Sequence, residues 1–282
     1  MKTLNLAKYL MVAATVGILL NSCRKKEDEP EDKDTSAAAD NAIAEGYFND
    51  ANSISDQAAA GNLTSFLSTN DNSDGERGIM SGCATITHDT MSNPRTITIN
   101  FGTTNCLCND GRYRRGIINV TYTGHYKDSL SFHTITFSNY FVNDNQVLGS
   151  KTVTNNGHNN AGHLTFSISV NGSVIKANNG GTITYTSTRT REWIEGEYTS
   201  IWSDDVYLIT GTASGSSSSG SSFTATIITA LKIKLNCHWI VSGKLDLTPS
   251  GKPTRTIDWG SGNCDDDATV TINGNTYNIN LN

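Results

Sequence analysis

The chain has 282 residues, a formal net charge of −6 and only 17% charged residues. A mildly acidic chain without a clustered basic face lacks the electrostatic footprint that nucleic acid requires, and anionic lipid headgroups would repel it. Ser, Thr, Asn and Gly dominate the polar positions, which predicts an extracellular β protein long enough to bury one sizeable core.

The N-terminus carries the clearest signal. Lys2 and Lys8 precede an apolar run from Leu10 to Leu20, which ends in Leu20-Asn21-Ser22-Cys23. A basic start, an apolar segment of about a dozen residues and a small-residue cleavage site describe a secretory signal, too short to remain as a membrane span. With cysteine directly after the small residue, the stretch resembles the lipobox of bacterial lipoproteins. That resemblance implies that residues 1–22 are removed and that Cys23 carries diacylglycerol on sulfur and an acyl chain on its amine. Each buried methylene contributes about 0.8 kcal/mol, so two or three chains hold a protein to a bilayer durably where one does not.

Residues 23–34 continue as Arg24-Lys25-Lys26-Glu27-Asp28-Glu29-Pro30-Glu31-Asp32-Lys33-Asp34, dense in charge and without an apolar side chain. Such a segment cannot bury surface and reads as an extended tether. Lysine followed by clustered acids after the lipid cysteine is similar to the export signal of surface lipoproteins in the Bacteroidota. The resemblance implies an outer-membrane location facing the cell exterior, the periplasmic face being the alternative.

Residues 35–82 read as a helix and a loop. Ala44, Phe48, Ala51, Ile54 and Ala58 recur at spacings of three and four, with Asp50, Asn52 and Asp56 elsewhere. Thr35 or Ser36 is the expected N-cap and Gly61 the expected terminator; Leu63 to Gly82 is predicted to be loop.

From Cys83 to Asn282 the period changes to two. Ile97, Ile99 and Phe101 alternate with Thr and Asn; Ile118, Val120 and Tyr122 do the same, as do Leu164, Phe166, Ile168 and Val170. The longest alternation runs from Phe223 to Leu235. Each segment presents one apolar and one hydroxyl-rich face. Asn155-Asn156-Gly157, Asn171-Gly172, Asn179-Gly180-Gly181, Gly211 to Ser222 and Asn273-Gly274 are the predicted turns. The fold class expected is mainly β: a large antiparallel meander of roughly a dozen strands, closed as a sandwich or strongly curved, with one N-terminal helix.

Six cysteines less Cys23 leave an odd number to pair in an oxidising compartment. An internal repeat bears on the pairing. Arg95-Thr96-Ile97 leads through Asn100-Phe101-Gly102 to Cys106, and Arg255-Thr256-Ile257 leads through Asp258-Trp259-Gly260 to Cys264; Cys83 precedes the first copy and Cys237 the second. Two duplicated cysteine-closed hairpins predict Cys83 with Cys106 and Cys237 with Cys264, leaving Cys108.

Motifs that carry chemistry are scarce. The sequence holds no G-x-S-x-G elbow, no H-E-x-x-H, no C-x-x-C pair and no phosphate loop, and no catalytic residue, cofactor or metal site is assigned. His158 and His163 read as exposed loop histidines, and Asp204-Asp205 and Asp265-Asp266-Asp267 as solvated turn acids. Trp193, Tyr198 and Trp202 lie close in sequence beside Arg189, Arg191 and Glu192 and form a candidate sugar-stacking platform. Asp89-Thr90-Met91 and Asp128-Ser129-Leu130 resemble an O-glycosylation sequon of the Bacteroidota.

The cysteine-closed Phe-Gly and Trp-Gly turns, Asp110-Gly111-Arg112 and Asn139-Tyr140-Phe141-Val142-Asn143 give the chain the look of the uncharacterised surface lipoproteins of the Bacteroidota. The resemblance implies a place, with the membrane as partner through the lipid on Cys23, but no activity. The first expectation is a non-catalytic binding or structural module that meets glycan or protein. The alternatives are a glycan hydrolase, with acids brought together only by the fold, and a carrier of an apolar ligand on the concave side of a curved sheet.

Overall fold

The computed structural model describes residues 32–59, 82–124, 126–199, 201–237 and 239–280. The predicted signal peptide, Cys23, most of the predicted tether, Gly61 and the predicted loop from residue 63 to 81 lie outside the described residues.

Helix α1 spans Ser36–Ala59. Thr35 holds the N-cap position, its carbonyl accepting from Ala39 N at 3.0 Å, and the preceding Asp34 carboxylate accepts from Ser36 N at 2.9 Å and also takes the ammonium of Lys252. These bonds hold that carboxyl well below the usual range. Ala44, Phe48, Ala51, Ile54 and Ala58, the predicted stripe, are all buried.

Fourteen strands follow: β1 (Thr85–Asp89), β2 (Arg95–Asn100), β3 (Cys106–Leu107), β4 (Tyr113–Tyr122), β5 (Phe132–Val142), β6 (Asn145–His158) and β7 (Leu164–Ile175). The second half comprises β8 (Thr182–Glu195), β9 (Val206–Ser216), β10 (Ser222–Lys234), β11 (Ile240–Pro249), β12 (Arg255–Ser261), β13 (Asp267–Ile272) and β14 (Asn275–Asn280). Apart from the short β3, which pairs with β4, each strand pairs antiparallel with its neighbours in sequence, so among the described residues one continuous meander forms and no second sheet. Among the described residues β1 and β14 do not pair with each other, and the sheet is open.

Turn chemistry enforces the meander. Asn273 and Gly274 both have positive φ (50° and 81°), as do Asn143 and Asp144 (48° and 63°), the pairing that matches a two-residue hairpin to strand twist. Three predicted turns lie inside strands instead. Asn155-Asn156-Gly157 is a bulge in β6, Asn171-Gly172 is mid-β7, and Gly211 to Ser216 continues β9. Their glycines serve close approach. A Cβ on Gly149 would stand 2.2 Å from the Asn171 carbonyl oxygen, and one on Gly172 would stand 2.4 Å from Phe48 Cζ. The long alternation in β10 is likewise interrupted by register shifts around Thr229, which leave Ile228 exposed.

The sheet curves around α1. Within Glu45–Asp50 the helix reaches Arg114 on β4, Phe137 on β5, Lys151 on β6, Gly172 on β7, and Tyr185 and Arg189 on β8. Five strands about 4.8 Å apart would span about 19 Å if flat, nearly twice a helix diameter of about 10 Å. The inner face of the sheet and the helix therefore bury one shared apolar core.

Both predicted disulfides are present, Cys83–Cys106 and Cys237–Cys264, each with Cα atoms 5.7 Å apart. The two hairpins they close share a detail: Asn100 Oδ1 accepts from Gly102 N at 2.8 Å, and Asp258 Oδ1 accepts from Gly260 N at 3.0 Å, each glycine at positive φ. Cys108 is free and buried.

Candidate functional site

Three polar regions surround the core. In the first, on the inner face of β4, Arg114 is wholly buried and donates to Asp50 Oδ1 of α1 at 2.7 Å and to Asp110 Oδ2 at 2.6 Å. Arg112 lies 3.3 Å from the same Asp50 carboxylate. Burial pushes the Asp110 carboxyl up, but the bonds and charge of Arg114 outweigh it and hold the group low. Burial raises the neighbouring Cys108 thiol. Two cations meeting two carboxylates, without a free coordination position, tie helix to sheet.

The second region lies at the C-terminal end of α1. Lys151 Nζ donates to Asn49 Oδ1 at 2.9 Å and to the Phe48 carbonyl at 3.4 Å, and burial pushes its ammonium down to about 8. Asp56 accepts from Asn52 at 2.7 Å and stands 4.0 Å from His133 Nε2; burial raises the carboxyl and lowers the imidazole. Arg191 projects beside them, with its guanidinium 4.6 Å from the Phe166 ring, 4.9 Å from Tyr207 and 5.4 Å from Tyr126. The alternation held a clue to this region: Lys151 and Arg189 fall on the apolar phase of β6 and β8, where a charge must find a buried partner.

The rim contains the residues singled out in the sequence. His158 Nε2 pairs with Glu197 Oε1 and His163 Nδ1 with Glu192 Oε1, each at 2.7 Å, so both loop histidines have carboxylate partners that sequence spacing did not reveal. Asp205 is buried rather than solvated and accepts from Tyr207 Oη at 3.3 Å. Trp193 is buried, its ring 5.5 Å from Tyr207, while Tyr198 is exposed with its hydroxyl 3.4 Å from His158 Nε2. Trp202 begins a short 3-10 turn. Trp193 and Tyr198 thus face core and solvent respectively and share no surface. Thr90 and Ser129 both lie on exposed turns. Among the described residues no group of His, Cys, Asp and Glu is arranged to hold a metal ion, and no helix is long and apolar enough to cross a membrane.

The third region is the outer face of the sheet. The register places Asp89, Thr96, Thr121, Thr134 and Thr152 directly opposite one another from β1 to β6. The row continues through Ser169, Thr188, Thr212, Thr226 and Asp246 to Thr256, Thr271 and Thr276 on β14. Every member is at least partly exposed. Neighbouring hydroxyls bond across strands, as Thr134 to Thr152 at 3.0 Å and Thr271 to Thr276 at 2.9 Å. A parallel row passes through Ser150, Asn171, Thr186 and Ser214. These line an open groove of about 540 Å³, together with Gly149, Gly172 and Gly215. This ordered, hydroxyl-bearing surface, with Asp89 and Asp246 as the acids in its row, was visible in the sequence only as a Thr-rich phase.

The molecule is thus an open antiparallel meander folded around its own N-terminal helix, with a filled inner face and a hydroxyl-lined outer one. No family model matches the sequence, and comparison with curated proteins and with solved structures finds no match.

Proposed function

We propose that the protein is a lipid-anchored envelope protein, held at the outer membrane by Cys23 and facing the cell exterior, that acts as a non-catalytic binding module for neutral glycan. The observation that carries the binding reading is the row of short hydroxyl and carboxyl side chains running from Asp89 to Thr276 across the outer face. Ser and Thr lose little rotamer entropy on binding, so a regular array of them suits a repeating hydroxylated polymer met by many weak hydrogen bonds. Among the described residues the α1 side chains Ala44, Phe48, Ala51 and Ile54 share the core of the inner face, which favours this reading over a carrier of an apolar ligand. Support for the anchor comes from the order of Lys2, Lys8, the apolar run and Cys23.

Two experiments test the reading. Labelled palmitate is incorporated by cells expressing the chain and is lost with Cys23→Ala, and protease added to intact cells removes the protein. Resistance to protease would move it to the periplasmic face. On a polysaccharide panel the lipidated protein retains at least one neutral glycan, and Thr186→Lys weakens that binding about tenfold, or 1.4 kcal/mol. Turnover of any glycan would replace the binding reading with the hydrolase one.

A further inference from the structure

The outer face is not uniform. Where β6 to β9 cross its middle, the open groove of about 540 Å³ lies between two polar rows. Ser150, Asn171, Thr186 and Ser214 stand opposite one another along one side, and Ser173 and Thr184 along the other. No side chain rises between the rows. Three of the four intervening positions, Gly149, Gly172 and Gly215, are glycine, and at the fourth Tyr185 turns inward, buried, and stacks on Phe48 with ring centroids 6.1 Å apart. A floor of backbone therefore separates two polar banks. Residues two apart on a strand are about 6.8 Å apart, which sets the distance between the banks.

The banks are ordered without a ligand. Thr186 Oγ1 and Ser214 Oγ lie 2.9 Å apart on one bank, and Thr184 Oγ1 and Ser216 Oγ lie 2.8 Å apart on the other. Thr184 Oγ1 also accepts from Ser216 N at 2.8 Å. A hydroxyl offers one donor and two acceptor positions, so each pair keeps hydrogen-bonding capacity for a ligand. Groups already fixed by a neighbour lose little further freedom when they bind. Among the described residues no charged side chain lines the groove, which suits a neutral ligand. Its volume falls within the range of about 300–1,000 Å³ that ligand sites occupy.

We infer that the groove takes glycan as an extended chain of equatorially 1,4-linked pyranose rings, lying across β6 to β9 with about one ring over each strand. The inference rests on the neutral-glycan reading of the outer face and adds the class of linkage. Neighbouring strands are about 4.8 Å apart, and side chains on the convex face of a curved sheet splay slightly further. Rings in an extended equatorial chain advance by nearly the same distance, so successive sugars meet successive strands. Such a chain is a flat ribbon. Its hydroxyls project from both edges, toward the two banks, while the C–H groups of the ring faces rest on the backbone floor. An axially linked chain coils and leaves the line of the groove after a ring or two. Four strands span about 14 Å, which limits the contact to about four rings.

The test is a length series. The lipidated protein, in a detergent without a sugar headgroup, is titrated calorimetrically with cello-, manno- and xylo-oligosaccharides of increasing length, and with malto-oligosaccharides as the coiled counterpart. Affinity for at least one extended series is expected to rise with each ring up to about four and then level off. The malto-oligosaccharide of equal length should bind at least about tenfold more weakly. Thr186→Val with Ser173→Ala removes one hydroxyl from each bank and should weaken binding of the four-ring ligand about tenfold. The melting temperature of that variant, expected within about 3 °C of the unsubstituted value, checks that it folds. Affinity independent of length, equal binding of the coiled series, or unchanged affinity in the folded double variant would each overturn the inference. Retention of coiled or branched neutral glycans alone would overturn it and leave the binding reading standing, whereas retention of no glycan would end both.

Discussion

Phe48→Ala is the most informative single change to the fold. The ring is 1% exposed, with its centroid 5.8 Å from Phe137 in edge geometry and 6.1 Å from Tyr185 in a stack, and Gly172 is bare beneath it. Truncation removes these contacts from three strands at once and leaves a cavity between rigid walls, so the expected loss is at the upper end for such changes, about 3–5 kcal/mol. For a domain of this size each kcal/mol shifts the melting temperature by about 2–4 °C, so a fall of about 6–20 °C is expected. Circular dichroism melts and urea titration measure it. Gly46→Ala is the matched control: that glycine is exposed on α1, and a Cβ there meets nothing within 4 Å. The substitution should stabilise by about 0.5–1 kcal/mol through helix propensity. A Phe48→Ala loss below about 1 kcal/mol would mean that the helix is not inserted into the curve of the sheet, and the reasoning about the inner face would fail.

Three further outcomes follow. Asp50→Asn removes a charge that faces both Arg114 and Arg112 and should cost about 3–5 kcal/mol, whereas Arg114→Met together with Asp50→Leu and Asp110→Asn should restore much of it in the same urea titration. Lys151 is charged in the unfolded chain up to about pH 10.4 but loses its proton near 8 when folded, so the unfolded state binds more protons between those values and stability rises with pH. Above about pH 10 the buried tyrosines, Tyr140, Tyr185 and Tyr207, whose burial raises them, reverse the trend because only the unfolded state ionises them. Burial also raises the Cys108 thiol, which the unfolded chain ionises above about pH 8.5, so that group opposes the rise there. Urea midpoints should therefore climb from about pH 7 to 8.5 and then level off, and Lys151→Met should remove the climb. Finally, the double change Cys237→Ala with Cys264→Ala should cost about 3 kcal/mol, as expected for a loop of that length, and mapping of unreduced peptides should find Cys108 unlinked.

Much of the fold was legible because it depends on local rules. The stripe from Ala44 to Ala58, the period-two faces of β2, β4 and β7, the Asn273-Gly274 hairpin and the cysteine repeat each follow from a few adjacent residues. What failed also has a physical reason. Gly172 and Gly211 look like turn residues, yet the chain uses them where curvature brings backbone against backbone or against Phe48, an effect that depends on partners distant in sequence. Asp50 looks like part of a solvated helix face, but the sheet curves far enough to enclose it with Arg114. Of the aromatic residues near β8, Trp193 lies on the inward phase, which spacing in sequence could have indicated, and Tyr198 reaches solvent. The hydroxyl rows required the register of the whole meander, which no single strand encodes.

The central claim, that the outer face is the binding surface, is tested most directly by charging its middle. Thr188 and Thr212 lie opposite each other on β8 and β9, both exposed and remote from the core. In the lipidated protein, Thr188→Lys with Thr212→Lys should leave the melting temperature within about 3 °C of the unsubstituted value, as exposed substitutions do. The same pair should reduce retention on the neutral glycan about tenfold. Unchanged retention by a folded double variant would contradict the account and move the binding surface elsewhere.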